Sequence, residues 1–127
     1  MNPIALVAAV IAALIHVYFF VLESLWFARP DVWARFGVAS AEEAETVRSF
    51  AYNQGFYNLF LAVGVGAGLA LVGIGSVDAG RAVVVFACAS MFAAGLVLYL
   101  HNRAFLRAAA IQAAPPAVAI VVALLTR

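Results

Sequence analysis

The sequence of 127 residues is poor in charged side chains, and it contains no lysine and a single cysteine. Only 10% of the residues are charged and 68% are hydrophobic, whereas soluble domains average about 25% charged and about 45–50% apolar residues. The net charge of +1 gives no reason to expect nucleic-acid binding. One cysteine, Cys88, excludes an intramolecular disulfide and a cysteine-based zinc site. The composition is that of a membrane protein.

Four apolar stretches are long enough to be transmembrane helices, which need about 20 residues to cross the hydrocarbon core. They predict an all-α fold, an integral membrane four-helix bundle with a short interfacial helix between the first two spans. The N-terminal stretch lacks the basic region of a signal peptide, so it is predicted to remain as a span. The chain is therefore predicted to be one four-span transmembrane domain over residues 1–127, with spans at about 3–27, 49–74, 80–102 and 105–126.

Local signals mark the ends and contact faces of these helices. Pro30 cannot continue helical hydrogen bonding and is predicted to end the first span. Ser40-x-x-Glu43 is a capping box, in which the Ser side chain caps free N–H groups and the Glu bonds back. It predicts that the second helix begins well before the membrane. Gly64-x-x-x-Gly68 would then let another helix pack closely against the second span.

Arginines are distributed unevenly between the two ends of the predicted spans. Because basic residues are retained on the cytoplasmic side, the first and third loops are predicted to be cytoplasmic and both termini outside. We expect a multi-pass protein of a bacterial inner membrane. The five arginines that flank these loops are Arg29, Arg35, Arg48, Arg103 and Arg107, against Arg81 and Arg127 on the other side.

Seven polar side chains lie in or at the edge of the apolar stretches, all in the predicted cytoplasmic half of the bilayer. Polar groups in hydrocarbon are costly and usually mark functional sites. Pro115-Pro116 adds free backbone carbonyls at the same level, which are tolerated where they face protein or a wet cavity. We therefore predict a polar pocket in the cytoplasmic half. The seven residues are His16, Glu23, Asn53, Gln54, Asn58, His101 and Gln112.

Within this set the predicted catalytic residues are His16, Glu23, Asn53 and Asn58. From a helical rise of about 1.5 Å per residue, Asn53 is expected at the depth of Glu23, and Asn58 at the depth of His16. The spacing of the His and Glu residues matches no metal-binding motif, so no metal site is predicted. The predicted ligand-binding residues are Gln54, Tyr57, Phe19, Phe20, Gln112 and His101.

Each of these residues also has a purely structural interpretation. The amides can act as hydrogen-bonding groups that hold neighbouring helices together. His101 is explained nearly as well by a helix end at the interface. Glu23 can extend to the interface and pair with Arg29 or Arg103. The set is therefore more informative than any single member.

Two motifs resemble a known family. His16-x-x-Phe19, followed by Glu23, is similar to the first-span pattern of a family of small bacterial and fungal membrane proteins, the domain of unknown function 1304. The stretch Asn53-Gln54-Gly55-Phe56-Tyr57-Asn58 resembles its second-span signature, and the similarity covers nearly the whole chain. Phe19 departs from the pattern, where Tyr is expected, which removes a hydroxyl from the site. The resemblance implies the four-span fold and the polar constellation, but no activity.

Four functions are compatible with this pattern. A histidine and a carboxylate in a low-dielectric pocket can exchange protons, which predicts isomerisation, hydration or epoxide opening of a lipophilic small molecule. No cofactor is predicted, although haem bound through His16 is an alternative. The third function is a proton-coupled transporter that uses Glu23. The fourth is structural, a polar core that fixes the register of the helices. The expected partners are a lipophilic small molecule and the lipid bilayer, and no nucleic acid is expected. Assembly into a homo-oligomer is compatible with the sequence.

Overall fold

In the computed structural model, which describes residues 1–126, all regular secondary structure is helical. A π-helical turn, Val21–Leu25, extends the first α-helix, and short 3-10 turns follow the second and precede the last. The α-helices are α1 (Pro3–Phe20), α2 (Pro30–Trp33), α3 (Ala41–Gly73), α4 (Val77–His101) and α5 (Leu106–Leu125).

Among the described residues, four helices are long and apolar enough to cross a membrane, and the short α2 lies between the first two along the chain. The predicted all-α fold with four spans is therefore confirmed. The candidate spans are Pro3–Leu25, Ala41–Gly73, Val77–His101 and Arg103–Leu125. At 33 residues, α3 is about 50 Å long, so part of it extends beyond a hydrocarbon core of about 30 Å.

The capping box at the start of α3 is confirmed with one change. The Glu43 N–H donates to Ser40 Oγ at 3.1 Å, as predicted. The Glu43 carboxylate accepts its return hydrogen bond from the Ala39 N–H at 2.9 Å, one residue before the expected Ser40 N–H. The carboxylate lies near the positive end of the helix dipole, which favours a negative charge.

The residues form two compact units, residues 1–15 with residues from 61 onward, and residues 16–60. The core of the first unit is built mainly from small side chains, so the helix backbones can pack closely. Cys88 is a fully buried free thiol there, as a small apolar helix residue would be. The buried core consists of Ala8, Ala9, Ala12, Val65, Val84, Ala87, Cys88, Met91 and Ala119.

Two glycines allow α3 and α4 to approach each other closely in this unit. A Cβ added at Gly80 would lie 2.4 Å from the Gly68 carbonyl oxygen, and one added at Gly68 would lie 2.8 Å from the Gly80 carbonyl oxygen. The predicted close approach therefore occurs at Gly68. Gly64 is not required for it, since a Cβ at Gly64 would make only an ordinary contact, 3.6 Å from the Ala87 Cβ.

The second unit, residues 16–60, contains the end of α1, the π turn, α2 and the first half of α3. Phe27 and Val32 are buried, and the ring of Phe27 packs on that of Phe36 with centroids 5.8 Å apart. Arg35 Nη1 donates to the Tyr18 hydroxyl at 3.1 Å. These contacts hold the connector between the first two spans against the end of α1.

Candidate functional site

Glu23 lies on the π-helical turn that extends α1. Its defining hydrogen bond runs from the Trp26 N–H to the Val21 carbonyl oxygen, five residues back, at 2.9 Å. A π turn contains one more residue than an α-helical turn and occurs frequently at functional sites. The predicted end of the first span near Pro30 is therefore replaced by an irregular turn that ends at Leu25.

Asn58 holds the carboxylate of Glu23 in place. Asn58 Nδ2 donates to Glu23 Oε2 at 2.8 Å, which joins the π turn to α3. Asn58 is only 6% exposed and Glu23 is half-buried. A hydrogen bond to an ionised group in a low-dielectric setting is stronger than one between neutral groups. The Glu23–Asn58 hydrogen bond thus brings two of the predicted catalytic residues into direct contact.

A close backbone approach next to this pair fixes the position of the π turn. Ser24 Oγ donates to the Tyr52 carbonyl oxygen at 2.7 Å. Beside it, a Cβ on Gly55 would lie 2.1 Å from Ser24 Oγ and 3.1 Å from Glu23 Cβ. Only glycine at residue 55 leaves room for this approach. Ser24 and Gly55 thus position the segment that carries Glu23.

Aromatic rings accompany the pair on the same two segments. The Phe20 and Phe56 rings meet edge to face with centroids 5.1 Å apart, and the Tyr52 ring lies 5.1 Å from Phe56. His16 is fully buried, and its ring contacts Phe19 edge to face at 5.6 Å. Phe19 and Phe20 are half-buried. The polar pair therefore lies on segments rich in aromatic side chains.

The predicted depths named Asn53 as the neighbour of Glu23 and Asn58 as that of His16, whereas the side chain bonded to Glu23 is that of Asn58. The reason is the register between the π turn and α3, which the Ser24 and Gly55 contacts set. Asn53 is exposed, as are Gln54 and Tyr57. The roles of Asn53, Gln54 and Tyr57 in ligand binding stay predictions.

The remaining predicted residues belong to the other unit. His101 is exposed as the last residue of α4, and Gln112 is half-buried in α5. Pro115 and Pro116 lie inside α5, which continues through both of them. Since proline has no N–H, the carbonyls four residues earlier lack their helical donor there. Whether these groups share one layer with Glu23 stays a prediction.

The structural alternative for Glu23 is pairing with Arg29 or Arg103; the pairing with Arg29 is wrong, and that with Arg103, a residue of the other unit, stays a prediction. Arg29 instead binds Asp31, with Nε and Nη2 donating to its two carboxylate oxygens at 3.2 and 3.0 Å. No group of three or more His, Cys, Asp and Glu residues in the described part of the chain could hold a metal ion. The contact shown for the Glu23 carboxylate is its hydrogen bond from Asn58.

Sequence reasoning missed Ser24, Gly55 and the Tyr18–Arg35 contact. Gly55 carried a usable signal, because a glycine within a helix costs about 1 kcal/mol relative to alanine and so usually has a packing reason. Ser24 and Arg35 carried none, since a single hydroxyl near a helix end and a loop arginine are common on any helical protein. Their contacts depend on the three-dimensional register.

Comparison with known proteins identifies a family but no relative of known activity. The family of proteins of unknown function DUF1304 matches residues 10–124. No curated protein and no solved structure matches the chain. The match covers the π turn, the aromatic segments and the Glu23–Asn58 pair. The geometry of these residues is therefore the basis on which a function can be inferred.

Proposed function

Since the chain belongs to the DUF1304 family of proteins of unknown function, we propose from its geometry that it is a membrane protein that binds a lipophilic small molecule at Glu23. In this proposal the Glu23–Asn58 pair recognises the polar group of the molecule. The surrounding aromatic and aliphatic side chains take up its apolar part, as in most small-molecule sites.

The observation that carries this proposal is the 2.8 Å hydrogen bond from Asn58 to Glu23. An acidic side chain within an apolar helix is costly, and such residues usually serve a function. Asn58 orients one carboxylate oxygen, Oε2. The other oxygen, Oε1, accepts no hydrogen bond from residues 16–60 and is therefore suited to accept one from a ligand.

A second candidate function is acid–base turnover of the bound molecule, by isomerisation, hydration or epoxide opening. The observation that favours it is again that Asn58 binds Oε2 of Glu23 and leaves Oε1 for a ligand. A general acid or base needs a fixed side chain and one reactive atom. His16 is fully buried, so Glu23 is the group that would exchange the proton with the ligand. Haem binding through His16 and proton-coupled transport through Glu23 stay predictions.

We also propose the predicted orientation, with the first and third loops cytoplasmic in a bacterial inner membrane. Its support is the five-to-two distribution of arginines. The orientation is tested with two variants, Ser40→Cys and Ser76→Cys, each in a protein that also carries Cys88→Ala. Intact cells are treated with a membrane-impermeant thiol reagent, and labelling of each variant is measured. Labelling of residue 76 alone agrees with the proposal, and labelling of residue 40 alone reverses it.

The test of ligand binding is native mass spectrometry of the protein purified in mild detergent. We expect a lipophilic molecule to be retained by the wild-type chain and lost from Glu23→Gln and Asn58→Leu. Glu45→Gln is the matched control, because it removes the charge of an exposed carboxylate on the same helix as Asn58. The proposal is contradicted if all four proteins retain the molecule equally. It is also contradicted if folded wild-type protein, in native membranes or in detergent, binds no molecule. Circular dichroism establishes that each variant is folded.

A further inference from the structure

The carboxylate of Glu23 has no cationic partner among the arginines of its own unit. Residues 16–60 contain three arginines, and each has another contact. Arg29 binds Asp31 at 3.0 Å, Arg48 lies 3.5 Å from Glu45, and Arg35 donates to the Tyr18 hydroxyl. The sequence contains no lysine.

Two other acidic side chains of the unit are paired with an arginine, whereas Glu23 is not. Asp31 and Glu45 are exposed and paired within a few residues along the chain. Glu23 is half-buried and receives only the neutral amide of Asn58. Buried charges are normally paired, so an ionised Glu23 needs a positive partner that the three arginines of the unit do not supply.

The aromatic composition of the same segments fits a cationic occupant. Phe20, Phe56 and Tyr52 form a chain of ring contacts, with both centroid separations at 5.1 Å. The faces of aromatic rings attract cations, and aromatic groups with a carboxylate are a common way to recognise ammonium groups. The same rings accommodate an apolar chain or ring system.

We infer that the ligand of Glu23 is a lipophilic amine that binds in its protonated form, with an ammonium N–H donating to Oε1 of Glu23. This inference rests on the proposed binding site and specifies the chemical class of its ligand. Asn58 holds Oε2, so the ammonium group and the amide bind different oxygens of one carboxylate. The apolar part of the amine packs against the rings of Phe20, Phe56 and Tyr52.

The experiment compares two probes of equal chain length, dodecylamine and dodecanol, with the protein in phosphatidylcholine nanodiscs. Binding is measured by ligand-detected NMR, with empty nanodiscs as the reference for partition into lipid. We expect dodecylamine to bind wild-type protein at least about tenfold more tightly than dodecanol, because charge-assisted hydrogen bonds are about twice as strong as neutral ones. Glu23→Gln is expected to abolish this preference.

Glu45→Gln is the matched control, since it removes the same charge from an exposed acidic residue of the same unit. It is expected to leave the preference for the amine unchanged. The wild-type comparison of the two probes does not depend on any variant, so a poorly folded Glu23→Gln protein does not remove the test.

The outcomes separate the inference from the proposed function. If dodecanol binds as tightly as dodecylamine, and Asn58→Leu weakens both, the ligand is neutral and only the inference is overturned. If the amine preference is the same in Glu23→Gln as in wild type, the cation does not bind Glu23 and the inference is again overturned. If neither probe binds and no molecule is retained on purification, the proposed site fails as well.

Discussion

Ser24 lies so close to Gly55 that a Cβ at residue 55 would stand 2.1 Å from the Ser24 hydroxyl oxygen. This approach sets the register between the π turn and α3. The same register brings Glu23 to Asn58, one helical turn further along α3. The position of the acidic group thus depends on a residue that has no side chain.

Gly55→Ala is therefore expected to disturb the site as well as the fold. The added methyl group must push Ser24 away, and such overpacking typically costs about 1–3 kcal/mol. We expect a lower midpoint of thermal unfolding in detergent and loss of the retained ligand. The control is Gly66→Ala in the same helix, where a Cβ would have nothing within 4 Å.

Gly66→Ala is expected to be neutral or to stabilise by up to about 1 kcal/mol, because alanine has the higher helix propensity. If Gly55→Ala is as stable as Gly66→Ala and retains the ligand, residue 55 does not position the π turn.

The hydrogen bond between Asn58 and Glu23 predicts energetic coupling that a double-mutant cycle measures. Asn58→Leu leaves the half-buried carboxylate without its donor, and we expect a loss of about 1–2 kcal/mol in the free energy of unfolding. In the Glu23→Gln background the same substitution is expected to cost less, since a neutral amide needs its donor less than a carboxylate does. Additive losses would mean that the two residues do not interact.

The sequence alone was sufficient to predict the helices and to name Glu23 and Asn58 separately as candidate site residues. Long apolar stretches and Ser40-x-x-Glu43 predicted the four spans and the start of α3, because hydropathy and capping are local properties. Glu23 and Asn58 were both predicted as site residues. Their pairing was not, because counting residues along straight helices assumes a common reference depth. The π turn and the Gly55 contact shift that reference, and both depend on tertiary packing.

The burial of individual amides was also beyond the sequence. Asn53, Gln54 and Asn58 lie within six residues of one another on α3, yet only Asn58 is buried. The apolar residues around them surround the helix on all sides, so hydrophobic periodicity does not reveal which face packs inward. Hydrogen-bonding capacity alone gave Asn53 and Asn58 the same predicted role, although only Asn58 is buried.

The start of α3 gives a prediction on a site remote from Glu23. Ser40→Ala removes the acceptor for the Glu43 N–H, and loss of such a cap typically costs about 1 kcal/mol. We expect a lower unfolding midpoint without loss of ligand. Ser49→Ala is the control, because Ser49 is exposed within the helix. Equal midpoints for the two variants would mean that the cap contributes nothing.

The Gly68–Gly80 contact gives the sharpest test of packing, because three glycines on two helices are expected to behave differently. A Cβ at Gly80 would meet the Gly68 carbonyl oxygen at 2.4 Å and the Val72 nitrogen at 2.7 Å. Both are backbone atoms, so the helices must move apart. A Cβ at Gly64 would meet only a methyl group, at 3.6 Å. We expect Gly80→Ala and Gly68→Ala to lower stability by about 1–3 kcal/mol and Gly64→Ala to raise it slightly.

The measurement is thermal unfolding of the three variants in one detergent, with helix content followed by circular dichroism. Forced separation of two backbones loses van der Waals contact along the whole interface, whereas the methyl group at residue 64 adds contact. The order of midpoints is therefore expected to be Gly64→Ala above wild type and both Gly68→Ala and Gly80→Ala below it. A Gly64→Ala protein less stable than Gly80→Ala would mean that α3 and α4 meet at residue 64 instead.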